Sequence, residues 1–397
     1  MMNYKFTIKL LCAVVLSIFC FSAADAKPKT KAKIEPGAAQ FDMYLPLLKG
    51  KRVAFMGNQT SEVNGVHVVD LLMEKGVNIV KAFAPEHGFR NMADAGEKIN
   101  DQIDEKTGIP IVSLYGRVNK PTPEMLKDVD VMVFDIQDVG ARFYTYIYSM
   151  QRLMEAGAEN GVPVIVLDRP NPLGYYIDGP VLEDTCTSGI GRNPIPIVYG
   201  MTEGELALMM NGEGWLKDGV KCDLTVIPCK NYDHSMRYSL PILPSPNLPT
   251  DRSVNLFPSV CFFEGTPLSE GRGTKWPFEV FGSPLIDSTA TDFSFTPEPT
   301  FGDKRPKQNG KLCYGRDLRN EPEQKEINLE YIIWAYNNYT DKEKFFNHRG
   351  FSLRAGNYDL EEQIKAGMSP KDIKKTWQDG LDDFKKKRKK YLIYKDF

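Results

Sequence analysis

The stretch from Val131 to Tyr146, VMVFDIQDVGARFYTY, constrains the fold more than any other part of the chain. It opens with a short apolar run, Val131 to Phe134, lacking the alternation of a half-exposed strand. Such a run suits a strand covered on both faces, as in a parallel sheet. Acids, an amide, an arginine and tyrosines follow at once. In open parallel sheets, ligands bind just beyond the carboxyl ends of the strands. Asp135, Gln137, Asp138, Arg142 and Tyr144 therefore stand where a site is expected.

The rest of the N-terminal half repeats this pattern. Strands are predicted at Val53–Met56, Val77–Phe83, Ile109–Leu114 and Val162–Leu167, and helices at His67–Lys75, from Thr122, and from Ile147. Thr122-Pro123 is a helix start, with Thr as cap and Pro in the first turn. The β-α-β-α order predicts an α/β fold with a Rossmann-like, doubly wound, mostly parallel sheet. Each strand runs into a polar loop. These loops carry Asn58 and Gln59; Glu86 and His87; Tyr115 and Arg117; Asp135 to Arg142; and Asp168, Arg169 and Asn171. Parallel strands bring all five loops to one edge.

Beyond this, Thr202 and Glu205 form a capping box, which makes Glu203 and Glu205 structural in this reading. Leu224–Ile227 is a further strand. Residues 240–275 read as a long, proline-rich, irregular segment, and loops of that length are usually functional or interdomain. Its Glu264 and Arg272 are candidates to close the site. The domain boundary is expected near 258–262, giving an N-terminal domain over 46–260. The C-terminal domain, 261–397, is read as smaller and mixed α/β or mainly helical, with helices at 328–338, 359–366 and 370–390.

Residues 1–26 have the layout of a secretory signal peptide: Lys5 and Lys9, an apolar Leu10–Phe21, and Ala24-Asp25-Ala26. The apolar part is shorter than the ~20 residues of a membrane span. Cleavage would leave 397 − 26 = 371 residues, enough for two domains. Residues 27–45 read as a linker, and the expected location is periplasmic. No later run is long enough to cross a membrane. A net charge of −2 gives no case for nucleic acid. The KKKRKK run at 385–390 is the cationic end of a last helix, which the helix dipole favours.

Five cysteines follow residue 26, an odd number that excludes full internal pairing. Cys222 and Cys229 flank the strand-like LTVIP, whose ends lie about 23 Å apart, beyond disulfide reach. The four histidines are scattered, with no metal-ligand spacing. No GxGxxG or Walker lysine loop follows the first strand, so no nucleotide cofactor is expected. No GxSxG elbow is present.

What remains is carboxylates, amides, Arg and Tyr around an edge, an inventory suited to sugar chemistry. Glycoside hydrolysis generally uses two carboxyl groups, one donating a proton to the leaving oxygen. Glu86, between Pro85 and His87, is the candidate acid. Either Asp135 or Glu264 is the second carboxylate. Asp135 could instead pair with Arg142, and Asp168 with Arg169. Asn58, His87, Gln137, Asp138, Arg142, Tyr144, Asn171 and Arg272 are the candidate substrate-binding residues.

At this point the motifs carry a resemblance. GNQTS, APEHGFRNMADAGEK, DIQDVGARFYTY, VLDRPNPLG, PIPIVYGMTEGELA, LPSPNLPT and FEGTPLSEGRGT fall in order within residues 53–282. Together they resemble the NamZ-type exo-β-N-acetylmuramidases of peptidoglycan recycling. The resemblance implies release of terminal β-linked N-acetylmuramic acid (MurNAc) from peptidoglycan-derived disaccharides or muropeptides. It also implies a Rossmann-like domain with a cleft against a smaller one, and a glutamate site there, carried over to Glu86 and more loosely to Glu264. The rival expectation is a non-catalytic periplasmic muropeptide-binding protein.

Overall fold

The apolar runs of the N-terminal half are strands because both of their faces are covered. The computed structural model describes residues 33–86, 88–90 and 101–397. The predicted signal peptide lies outside the described residues. The elements in chain order are α1 (Phe41–Leu48), β1 (Arg52–Gly57), a ribbon of β2 (Glu62–Val63) and β3 (Val66–His67), α2 (Val68–Glu74), β4 (Asn78–Ala84), β5 (Gln102–Ile103) and β6 (Pro110–Ser113). Then come α3 (Pro123–Leu126), β7 (Val131–Asp135), α4 (Tyr146–Asn160), β8 (Val164–Leu167), α5 (Glu203–Gly212) and β9 (Leu224–Ile227).

The main sheet has the order β5-β6-β4-β1-β7-β8-β9. All pairings are parallel except the short β5 on β6. Numbered along the chain, the six parallel strands run 3-2-1-4-5-6, the dinucleotide-fold order. Side chains alternate between two cores. Ala54, Met56, Met132, Phe134 and Val166 pack with the apolar residues of α4 and α5. Val53, Phe55, Val131, Val133 and Leu167 pack with those of α1 and α2.

The expected linker over 27–45 is partly folded. Tyr44 of α1 is fully buried and donates its hydroxyl to the Ala38 carbonyl at 2.8 Å. Gly37 N donates to the Asp168 carbonyl, and a Cβ there would lie 2.1 Å from the Ile227 carbonyl oxygen. Only glycine permits that approach, which docks the segment on β8 and β9.

The proline-rich segment is also more regular than its composition suggests. It contains α6 (Asp251–Val260), capped reciprocally by Thr250 and Ser253, and a 3-10 turn over Cys261–Gly265. The cap uses Ser where the capping-box pattern calls for Glu or Gln, so the start is easily missed. Residues 258–262, the expected boundary, lie buried in this helix and turn. From Glu35 to Phe397 the chain forms one compact unit.

The C-terminal part is mixed. A three-stranded antiparallel sheet has the order β10 (Val280–Ser283), β12 (Cys313–Asp317), β11 (Ser294–Phe295). Around it lie α7 (Glu330–Asn337), α8 (His348–Ala355), α9 (Asp359–Lys365), α10 (Pro370–Lys375) and α11 (Gln378–Arg388). Four basic residues do fill the last turn of α11, but Arg388 is buried on Asp396 and the Gly200 carbonyl. Among the described residues all five cysteines are free and buried, and no helix is long and apolar enough to cross a membrane.

Candidate active site

The order of the sheet reverses between β1 and β7, which opens a crevice above their carboxyl ends. Gly57 pairs with Asp135, so Asn58 and Ile136 leave the sheet side by side. Asn58 is buried, and its Oδ1 accepts from Thr60 N and Oγ1 at 2.9 and 2.6 Å. This Asx turn folds GNQTS back on itself. The Asn58 Nδ2 is buried beside the Tyr146 hydroxyl without a formed hydrogen bond.

Glu86 follows β4 and is half-buried. Tyr115, after β6, donates its hydroxyl to Glu86 Oε1 at 3.1 Å. Tyr146, after β7, donates to the Glu86 carbonyl at 3.3 Å. Three strand-end loops thus meet at one residue. Burial and the neighbouring Glu86 carboxyl push the Tyr115 phenol up to about 12, so it stays a donor. Tyr144 packs edge-on against Tyr146 and donates to the Pro244 carbonyl at 2.8 Å. Gln59 Nε2 reaches the Leu243 and Pro244 carbonyls, each at 3.3 Å. His87 lies outside the described residues.

Other predicted residues are turned inward. Asp135 is fully buried, with both oxygens on Arg169 at 2.6 and 2.9 Å. Burial raises its carboxyl, and the Arg169 guanidinium opposes the rise. The expected Asp168–Arg169 ion pair does not form: the Arg169 guanidinium turns to the neighbouring strand instead of to Asp168. Asp168 accepts from Thr202 Oγ1 and Gly204 N at the start of α5. Arg142 does not pair with Asp135 either. It is fully buried and donates to the carbonyls of Pro180, Ile195, Arg354 and Ala355 at 2.8–3.0 Å. It ties the loop after β7 to α8, with no exposed edge to offer a substrate. Gln137 Nε2 donates to the Asp138 and Pro170 carbonyls, both at 2.8 Å. Asn171 bridges the Met201 carbonyl and Leu173 N, shaping the PNPLG turn.

Glu264 forms a second acidic centre. It accepts from Arg272 at 2.5 Å and from Arg354 at 2.6 and 3.1 Å. Burial alone would raise this carboxyl, but Arg272 and Arg354 outweigh it and hold it below the ordinary range. Arg354 came from α8, where no sequence signal marked it. Arg272 Nε also faces Glu270 at 3.4 Å.

A third carboxyl pair was only half legible. Asp138 accepts from Gly140 N at 2.6 Å and from the Tyr199 hydroxyl, while its Oδ1 is buried without a partner. Burial raises its carboxyl to about 6, against the Tyr199 hydrogen bond. Glu203 lies close by, with Oε1 also buried and unpartnered, and burial and Asp138 raise it well above normal. Only Glu205 completes the capping box with Thr202. The two neighbours in sequence have different fates because their side chains leave the helix start in different directions.

Topology and edge together define an α/β protein of Rossmann order whose switch point carries carboxyl, amide and phenol groups in place of a phosphate loop. The family model described as "Exo-beta-N-acetylmuramidase NamZ, N-terminal" matches residues 53–252, and its C-terminal counterpart matches 255–394. The chain belongs to this NamZ family. It is 42% identical over 405 residues to the peptidoglycan beta-N-acetylmuramidase NamZ of Bacillus subtilis, covering 94% of this chain and 95% of that one. Two crystal structures of DUF1343 family proteins from Bacteroides fragilis share the fold. One is 47% identical with a TM-score of 0.86, covering 92% of this chain and 100% of the other. The second is 31% identical with a TM-score of 0.79, covering 91% and 99%.

Proposed function

We propose that this chain is an exo-β-N-acetylmuramidase, a glycosidase that releases terminal β-linked MurNAc from the non-reducing end of peptidoglycan fragments. The observation that carries this reading is the 42% identity to a peptidoglycan β-N-acetylmuramidase along nearly the full length of both chains. The site chemistry supports it. Glu86 is the proton donor: it is half-buried at the switch-point edge, and its Oε1 is held by a neutral phenol. A donor must come within hydrogen-bond reach of the glycosidic oxygen, and a half-open carboxyl can do so.

Asp135 and Glu264 are poorer choices for an attacking oxygen. Both carboxylates are forked by guanidinium groups, and Asp135 has no exposed surface. Their role in this reading is to fix the arginines. Arg272 and Arg354 converge on one carboxylate and are each partly exposed, which suits them to hold the lactyl carboxylate of MurNAc. Secretion to the periplasm remains part of the proposal, since the substrate is found there and residues 1–26 fit an export signal.

The test incubates the purified protein with MurNAc-GlcNAc or a chromogenic MurNAc glycoside. Release of free MurNAc supports the reading. Tight binding of intact disaccharide by calorimetry, with no product, would replace it with a muropeptide-binding function.

A further inference from the structure

A groove lies along the same edge, beyond β8, and the reading above gives it no role. A cavity of about 270 Å³ is lined by Leu173, Tyr175, Arg237, Tyr238, Asp251 and Asn255, among others. A second, of about 220 Å³, shares Ser239, Asp251 and Val254 with the first and continues it to Leu243 and Pro244. The two form one trough.

Three contacts join this trough to the strand ends. The Leu243 and Pro244 carbonyls that form its far wall accept from Gln59 and Tyr144 of the crevice. Tyr238 is near enough to feel the charge of Arg169, which holds Asp135 at the end of β7. Pro172 and Leu173 come from the turn that follows β8. From β4, which carries Glu86, to β8 there are three strand intervals, or about 14 Å. That is the span of a short oligosaccharide laid across the strand ends.

The lining of the first cavity combines aromatic side chains with fixed hydrogen-bonding groups. The Arg237 guanidinium sits 3.3 Å from the centre of the Tyr175 ring. Its fork onto Glu323, at 2.5 and 3.3 Å, fixes its plane. Tyr175 is itself held by Asn255 at 2.8 Å. This stack is built before any ligand arrives, and Asp251 beside it is exposed as an acceptor for hydroxyl groups. Stacking surface with fixed acceptors is what a sugar ring needs. The second cavity is more apolar, with Leu240, Leu243, Pro244, Leu248 and Pro249 in its lining.

We propose that this trough binds the reducing-side part of the glycan, the β-linked N-acetylhexosamine residues beyond the bond that is cut, by stacking a sugar on Tyr238 and donating hydrogen bonds from Arg237, which Tyr175 and Glu323 hold in place. The inference rests on the muramidase reading. It makes the enzyme selective for chain length.

The experiment compares Arg237→Ala and Tyr238→Ala with wild type on two substrates. One is a chromogenic MurNAc glycoside, which has no sugar past the bond. The other is a peptide-free glycan of four or more sugars with MurNAc at its non-reducing end. The ratio of kcat/KM for long over short substrate should fall about tenfold in each variant, mostly through KM. Arg237→Lys should recover only part of it, because an ammonium lacks the planar fork of donors that Tyr175 and Glu323 hold in place. Melting temperatures check that each variant is folded. An unchanged ratio overturns the proposal; so does a loss that appears only when the same glycan carrying stem peptides is used as a third substrate, which would assign the trough to stem peptide. A wild type inactive on both substrates would instead sink the muramidase reading itself.

Discussion

Glu86, in the loop after β4, and Glu264, in the 3-10 turn after α6, live in different surroundings. Glu86 is half-buried and takes a hydrogen bond from the phenol of Tyr115. Glu264 is clamped between two guanidiniums at 2.5 and 2.6 Å. Residue type is the same in both cases. What differs is the set of groups seen around each carboxyl: a phenol at Glu86, two guanidiniums at Glu264. A carboxylate with two arginine partners is stabilised in its charged form and is a poor acid. It can still be indispensable as the group that keeps those arginines in place.

The largest effect that probes this contrast is Glu86→Gln. Removing a general acid typically costs about 10²–10⁴ in rate, so turnover of a MurNAc glycoside should fall by that factor with little change in melting temperature. Near-normal turnover would remove Glu86 from its assigned role.

Glu264→Gln should behave in the reverse way. Breaking a buried pair by deleting one partner costs about 3–5 kcal/mol, and partial exposure lowers this to about 2–4 kcal/mol here. Urea unfolding should show that loss, while kcat of the folded fraction stays within about tenfold of wild type. A collapse of kcat without a loss of stability would make Glu264 the second catalytic carboxylate.

Tyr115→Phe tests the phenol that separates the two environments. Loss of one hydrogen bond is worth about 1 kcal/mol, so kcat should drop about fivefold with KM nearly unchanged. No change in the pH profile or in kcat would show that this contact orients nothing.

The smallest expected effect concerns the buried carboxyl of Asp138. Asp138 is raised by burial from 3.8 to about 6. The folded state therefore binds this proton more tightly than the unfolded chain. Stability contributed by the protonated form is present below about 4 and is lost as pH rises to about 6. Asp138→Asn should flatten the fall in stability over that window, by on the order of 1 kcal/mol. Melting curves at pH 4 and 6.5 for both proteins measure it, and parallel shifts would show that Asp138 does not titrate there.

Much of this molecule was readable from the chain. Val131–Phe134 had to be a doubly covered strand because nothing in it could face water. Five such runs with helical spacers leave few alternatives to a parallel sheet, and all five strands are present. Thr122, Thr202 and their caps were legible for the same reason: the groups that satisfy a helix start lie within four residues of it. The convergence of Asn58, Glu86, Tyr115 and the 135–146 loop also followed, since parallel strands share a direction.

The fates of individual acids and arginines were not readable. Asp135 has Arg142 within reach in sequence logic, but its partner is Arg169, just past the end of the next strand. Arg142 looks like a ligand-binding residue in DIQDVGAR, yet four carbonyls from distant segments surround it. Glu264 depends on Arg354, ninety positions away, and Glu203 on Asp138. Local rules act through the backbone over a few residues, so the chain alone determined strands, caps and the edge where they end. Electrostatic partners are chosen by which side chains the packed sheet and helices bring within about 3 Å, so only the tertiary structure decided which carboxyl is held as an ion, which is buried, and which stands open at the crevice.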